Sequence, residues 1–189
     1  MLGHASFAVT LERLAAKLIQ TMRKDIVVAI ATLAMLGCAI MGGIFFAFSN
    51  FVMQALAMQS PANATSTMQA INIRIVNPLF LSVFLGTPLL YAIMAVTSAR
   101  HLSRPGSKLM IAAAATYLVG ALAVTAVFNI PLNDHLAGLE PTSDEATRFW
   151  SEYLSSWIVW NHVRTVSALA SIVLLSMGIA RLPPSGQFR

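Results

Sequence analysis

The chain has 189 residues, of which 57% are hydrophobic and only 10% charged, against about 25% charged in a typical soluble domain. That composition excludes an ordinary soluble enzyme and points to a membrane protein. The net charge of +5 does not mark a nucleic-acid binder, because the basic residues stand at the ends of apolar segments and not in an exposed patch with interleaved aromatics.

Residues 1–25 alternate as an amphipathic helix. Leu11, Leu14, Leu18 and Met22 share one face, and Glu12, Arg13, Lys17 and Arg23 the other, which suits a helix lying in the membrane interface. The first span, 26–48, carries no charge and exceeds the ~20 residues needed to cross a bilayer. Its pattern runs on through Ser49-Asn50-Phe51 toward Met58. Ala31, Ala34, Cys38 and Gly42 form a small-residue ladder of the kind that lets helices approach closely in lipid. Cys38 is the only cysteine, which excludes an intrachain disulfide and a cysteine metal cluster.

Ser60-Pro61 breaks the chain. Ser66 and Gln69 read as a capping box that opens a short helix carrying Asn72 and Arg74. The second span covers 75–99, with Asn77-Pro78 at its start and a kink expected at Gly86-Thr87-Pro88. After the basic turn Arg100–Lys108, the third span covers 109–131 and ends at Pro131. Residues 132–152 read as a polar outer loop holding Asp134, His135 and Glu140. The fourth span, 157–180, follows a lead-in in which Trp150, Tyr153, Trp157 and Asn161 recur at helical spacing. Residues 183–189 are a tail. The fold expected is therefore an all-α integral membrane four-helix up-down bundle spanning 26–182. Nine basic residues fall on the terminus side and three on the other, which places both termini in the cytoplasm, as for a multi-pass protein of a bacterial inner membrane.

The unusual polar residues gather at the outer ends of the spans. They are Asn50, Asn72, Arg74, Asn77, Asn129 and Asn133, together with Trp157, Trp160, Asn161, His162, Arg164 and Thr165. Arg164 lies ~10 Å along the axis from Trp157. An intramembrane arginine costs ~2.5–3.5 kcal/mol on the most lenient scale and marks a functional site by default. A guanidinium stays charged and can hold an enolate or phenolate. Histidine titrates near working pH, so His162 is the expected general base. Asn161, Arg164 and Thr165 share one helix face beneath Trp157 and form the expected pocket wall. No His-x-x-His or Glu-x-x-His pair supports a metal site, and only His162 stands where an axial haem ligand would.

The run Gly43–Met53, the segment Met68-Gln69-Ala70-Ile71-Asn72 leading to Asn77-Pro78, and Trp160-Asn161-x-x-Arg164-Thr165 together resemble the anthrone-oxygenase-like family of small four-helix membrane proteins. The resemblance covers about Ile26–Ala180. It implies a cofactor-independent oxygenase that converts an anthrone, a tricyclic phenolic ketone, to an anthraquinone with O2 as co-substrate. It also implies roles for Asn50, Asn72, Asn77, Trp157, Asn161 and Arg164. Read with the residues above, His162, Arg164 and Asn161 are the expected catalytic set, and Asn50, Asn72, Arg74, Asn77, Trp157, Trp160 and Thr165 the expected substrate contacts. The expected partners are the bilayer and a hydrophobic aromatic small molecule, with no nucleic acid, and a homo-oligomer is compatible with the chain. The alternative is a non-catalytic subunit or lipid-binding partner of a larger assembly.

Overall fold

A computed structural model describes residues 2–182; side chains are described for Leu14, Leu18, Met22 and residues 24–182. The tail 183–189, and most of the side chains on which the amphipathic reading of 1–25 rests, lie outside the described residues. Helix α1 (Leu2–Ala47) runs through the expected boundary at Asp25 without a break. It passes into a π-helical turn, Phe48–Val52, and one more α turn, α2 (Met53–Ala57). The first span is thus continuous from Lys24 to Ala57.

Helix α3 (Pro61–Ile75) begins earlier than a Ser66 cap would place it. Ser60 sits in extended backbone, its hydroxyl accepts from Asn63 N, and Pro61 fills a position that has no N–H to satisfy. Gln69 therefore closes no capping box. Val76 and Asn77 leave the helical region because the residue before a proline is pushed to extended backbone, so the second span starts at Pro78 and not at Ile75. Asn77 caps α4 (Pro78–Ala99), which continues through Pro88 as one helix.

The third span consists of α5 (Ser107–Tyr117), two π-helical segments (Leu118–Ala123 and Thr125–Asn129) and α6 (Ile130–Ala137). It does not stop at Pro131. A proline lacks the N–H and collides with the carbonyl four residues back in an α ladder. Here the preceding turn is widened, with Ile130 N–H reaching Thr125 O, so the helix carries the proline and continues. Helix α7 (Asp144–Ala180) is capped by Ser143, with Asp144 and Glu145 in the first turn, where the helix dipole favours acids. The expected lead-in and fourth span are one helix.

α1 packs on α4 and α7, and α5 packs on the same two helices, which is the ring of an up-down bundle. The small-residue ladder is consumed inside it: Ala31, Ala34, Cys38 and Gly42 are buried, and the Cys38 thiol donates to the Ala168 carbonyl at 3.3 Å. At the other corner Gly106 has φ 87°, and a Cβ there would overlap the Gly178 carbonyl, so only glycine brings the turn so close to α7. Large apolar side chains face outward instead, among them Leu33, Leu36, Leu89, Val166, Leu169 and Val173. Four helices long and apolar enough to cross a bilayer, with apolar outer faces, make this a multi-pass membrane protein.

Candidate functional site

At the end of the bundle remote from the 100–106 turn lies a cavity of about 520 Å³. The π turn in the first span and the one before α6 both border it, bringing Phe48 and Thr125 to its wall. π turns recur at functional sites because they break the regular ladder and re-aim side chains. α3 crosses the cavity and contributes Met68, Gln69 and Asn72, while α4 adds Phe80 and Phe84. Ile130, Asn133, Asp134 and Ala137 line it from α6, and Trp157, Asn161 and Arg164 from α7, both at helical face spacing.

Arg164 is 5% exposed. Its Nη2 donates to Asn161 Oδ1 at 2.6 Å and its Nη1 to Thr125 Oγ1 at 3.3 Å, both neutral partners. Nε is buried with no partner among the described residues. The guanidinium carbon lies 4.5 Å from the Phe45 ring centroid and 5.0 Å from that of Trp157, so aromatic faces take part of its charge.

Asn161, fully buried, fixes the guanidinium from behind. Arginine only donates and a carbonyl only accepts, so the amide has one orientation: Oδ1 toward Arg164, Nδ2 toward Phe45 O (2.6 Å) and Ser49 Oγ (2.7 Å). The Thr165 hydroxyl donates to Asn161 O, leaving Ser49 as the donor to Thr165. Asn133 is held the same way. Its Oδ1 accepts from Trp157 Nε1 (3.0 Å) and Tyr153 OH (2.8 Å). The indole only donates, so the oxygen assignment is forced and the amide NH2 remains as the other end. Asn72 Nδ2 is a second buried donor with no partner among the described residues.

Of the residues expected at the site, Asn72, Trp157, Asn161 and Arg164 line the cavity. Thr165 is buried beside Asn161, against the first span, and does not line it. Asn50 is exposed on the outer side of its π turn. Arg74 is exposed in the last turn of α3. Asn77 spends its side chain on capping, accepting from Phe80 N and donating to Arg74 O and Ile75 O. Trp160 stacks on Phe128 with ring centroids 3.5 Å apart, away from the cavity. His162 is exposed: it follows Asn161 by one residue, about 100° around the helix, and Asn161 holds the inward side. The structure therefore leaves the expected general base outside the cavity lining. Among the described residues no three His, Cys, Asp or Glu side chains converge.

The family model for anthrone oxygenases matches residues 79–174. The chain belongs to the anthrone oxygenase family. No curated protein and no solved structure matches it. The stretch shared with the anthrone oxygenases holds the whole α6 face and the Trp157–Asn161–Arg164 face, whereas Phe45, Phe48, Gln69 and Asn72 come from outside it.

Gln69 plays a part that the sequence did not show. Its amide donates to Leu136 O (2.8 Å) and Leu139 O (2.9 Å), tying α3 to the end of α6 across the cavity. Gln69→Leu leaves both carbonyls without that donor. It is expected to destabilise the chain by about 1–3 kcal/mol and to speed proteolysis around α3. A melting curve and a limited digest of the two proteins check it; unchanged values for both mean α3 is held elsewhere.

Proposed function

We propose that this cavity binds a flat phenolic ketone of the anthrone type and that the chain oxidises it with molecular oxygen. The observation that supports this best is Arg164, a buried guanidinium with neutral partners and an unpaired N–H, beside an otherwise mostly apolar cavity. Its volume falls in the range of small-ligand sites, ~300–1,000 Å³. Phe45, Phe48, Phe80 and Trp157 offer aromatic walls to a planar ligand. Ile73, Val76 and Ile130 line it and are also exposed, so part of its rim is apolar, as suits a substrate dissolved in lipid.

Loss of a proton from the ring methylene gives an enolate, whose oxygen Arg164 and Asn72 Nδ2 hold in this scheme. A guanidinium in a site shielded from water favours the charge that develops there. Oxygen takes one electron from the enolate, and the two radicals join through a new C–O bond. The resulting peroxide takes up a proton. The second methylene hydrogen then leaves as a proton, the O–O bond breaks, and hydroxide departs to become water. The CH2 group has become a ketone and one O2 has been consumed. No cofactor enters this scheme. In this reading the end opposite the cavity faces the cytoplasm of a bacterial inner membrane, which the basic residues Arg100, Arg104, Lys108 and Arg181 there support by the positive-inside rule.

The test is oxygen uptake by the purified protein given an anthrone, with metal content assayed on the same sample. Anthrones oxidise slowly by themselves, so the Arg164→Ala protein is the control. Uptake above the control, with one anthraquinone formed per O2, is the expected result. Equal rates would sink the oxygenase reading.

A further inference from the structure

We propose that Asp134 is the base that takes the proton from the bound substrate, an assignment that rests on the oxygenase reading above. The chemistry needs an acceptor that touches the cavity, and the histidine expected in that role faces away from it. Among the lining side chains the polar ones are Gln69, Asn72, Thr125, Asn133, Asn161, Arg164 and Asp134. Amides and a hydroxyl do not accept a proton near neutral pH, and a guanidinium already holds one. Asp134 is the one carboxylate that lines the cavity among the described residues.

Its placement suits the task. Asp134 shares the lining face of α6 with Asn133, whose side chain is pinned by Tyr153 and Trp157. The end of α6 is pinned in turn by Gln69. The helix bearing the carboxylate is thus fixed on two sides. Asp134 is also exposed, whereas Arg164 is buried. A base at the open rim can pass its proton out of the cavity after each turnover, and a buried cation can hold an oxyanion without water competing for it. In an anthrone the carbonyl oxygen and the methylene carbon stand at opposite edges of the central ring. One group at the buried end and another at the open end can therefore address both at once. A carboxylate is a weak base toward carbon, so it needs the enolate stabilised by the guanidinium, and neither group suffices alone.

The experiment separates proton removal from the oxygen step. Under anaerobic conditions in D2O, the full chain in detergent is given an anthrone, and exchange of the methylene hydrogens is followed by NMR. Oxygen uptake is measured in parallel. The wild-type protein is expected to exchange deuterium faster than the uncatalysed rate. Asp134→Asn is expected to lose ~10²–10⁴-fold in both exchange and kcat, with binding of the anthraquinone product, read by tryptophan fluorescence, unchanged. Asp134→Glu is expected to recover part of the exchange, since the longer carboxylate still reaches the cavity. Wild-type turnover together with unaltered exchange in Asp134→Asn would overturn the assignment of the base and leave the oxygenase reading standing. A wild-type protein that neither exchanges the methylene hydrogens nor consumes oxygen overturns both.

Discussion

Arg164→Met is expected to lower kcat/KM on an anthrone by ~10²–10³-fold while the melting temperature holds or rises. The two effects separate a functional arginine from a structural one. The side chain is 5% exposed, and its hydrogen-bond partners among the described residues are the neutral Asn161 and Thr125. Burying an ion costs several kcal/mol even after relaxation. Two hydrogen bonds from a charged donor return about 1.5–3 kcal/mol each, and stacking over Phe45 and Trp157 adds ~2 kcal/mol or less. Those contributions offset the penalty without a clear surplus. Methionine has a similar length, fills irregular space and buries no charge. Thr125 keeps its own bond to Ala121 O when the guanidinium is gone. The loss that remains is one unpaired Asn161 oxygen. Matched melting curves and steady-state kinetics decide it: a collapse in melting temperature would make Arg164 a structural pin and remove the main support for an anion-binding cavity.

The spans could be read from the sequence because membrane helices announce themselves by length and lack of charge. The Arg164 face was legible for the same reason, since a charge among apolar neighbours has no bland neighbour to hide behind. Trp157, Asn161 and Arg164, at spacings of four and three, project from the same side of α7. Other parts of the site gave no such signal. Phe45 and Phe48 look like any apolar residues of a span; the packing of α7 sets the guanidinium over Phe45, and Phe48, at the start of the π turn, reaches the cavity wall beside Trp157. Asp134 was hidden by Pro131. A proline ordinarily ends a helix, so the sequence pattern assigns the acid to the outer loop. Had the helix been carried past the proline, Ile130, Asn133, Asp134 and Ala137 would have fallen on one face by spacing alone. Asn77 and Arg74 are the opposite case. Polar residues at helix ends are as often caps and dipole partners as ligand contacts, and both serve locally here.

Asn161→Asp is expected to cost as much activity as losing Arg164, although the arginine is still present. The wild-type amide performs two tasks at once. Its oxygen accepts from Arg164 at 2.6 Å, and its nitrogen donates to Phe45 O and Ser49 Oγ, joining α7 to the end of α1. Asparagine leaves the guanidinium a net positive charge for a ligand, whereas an aspartate in the same place would pair with it and cancel that charge. The Ser49 hydroxyl can rotate to donate to the new carboxylate. The Phe45 carbonyl cannot, and would face an oxygen where it had a donor, so a modest fall in melting temperature accompanies the change. Against this the new ion pair adds stability, and the fold should survive. Affinity for a phenolate ligand, read by tryptophan fluorescence, is expected to drop by about two orders of magnitude, the scale on which a single opposite charge at contact acts in a shielded site. Turnover should fall with it. Asn161→Leu gives the complementary result: the cation stays free, but three hydrogen bonds between the helices and to Arg164 vanish, and stability falls by about 3–5 kcal/mol. If Asn161→Asp binds the phenolate as tightly as the wild type, the positive charge of Arg164 is not what holds the ligand, and the cavity selects its occupant by shape and apolar contact alone.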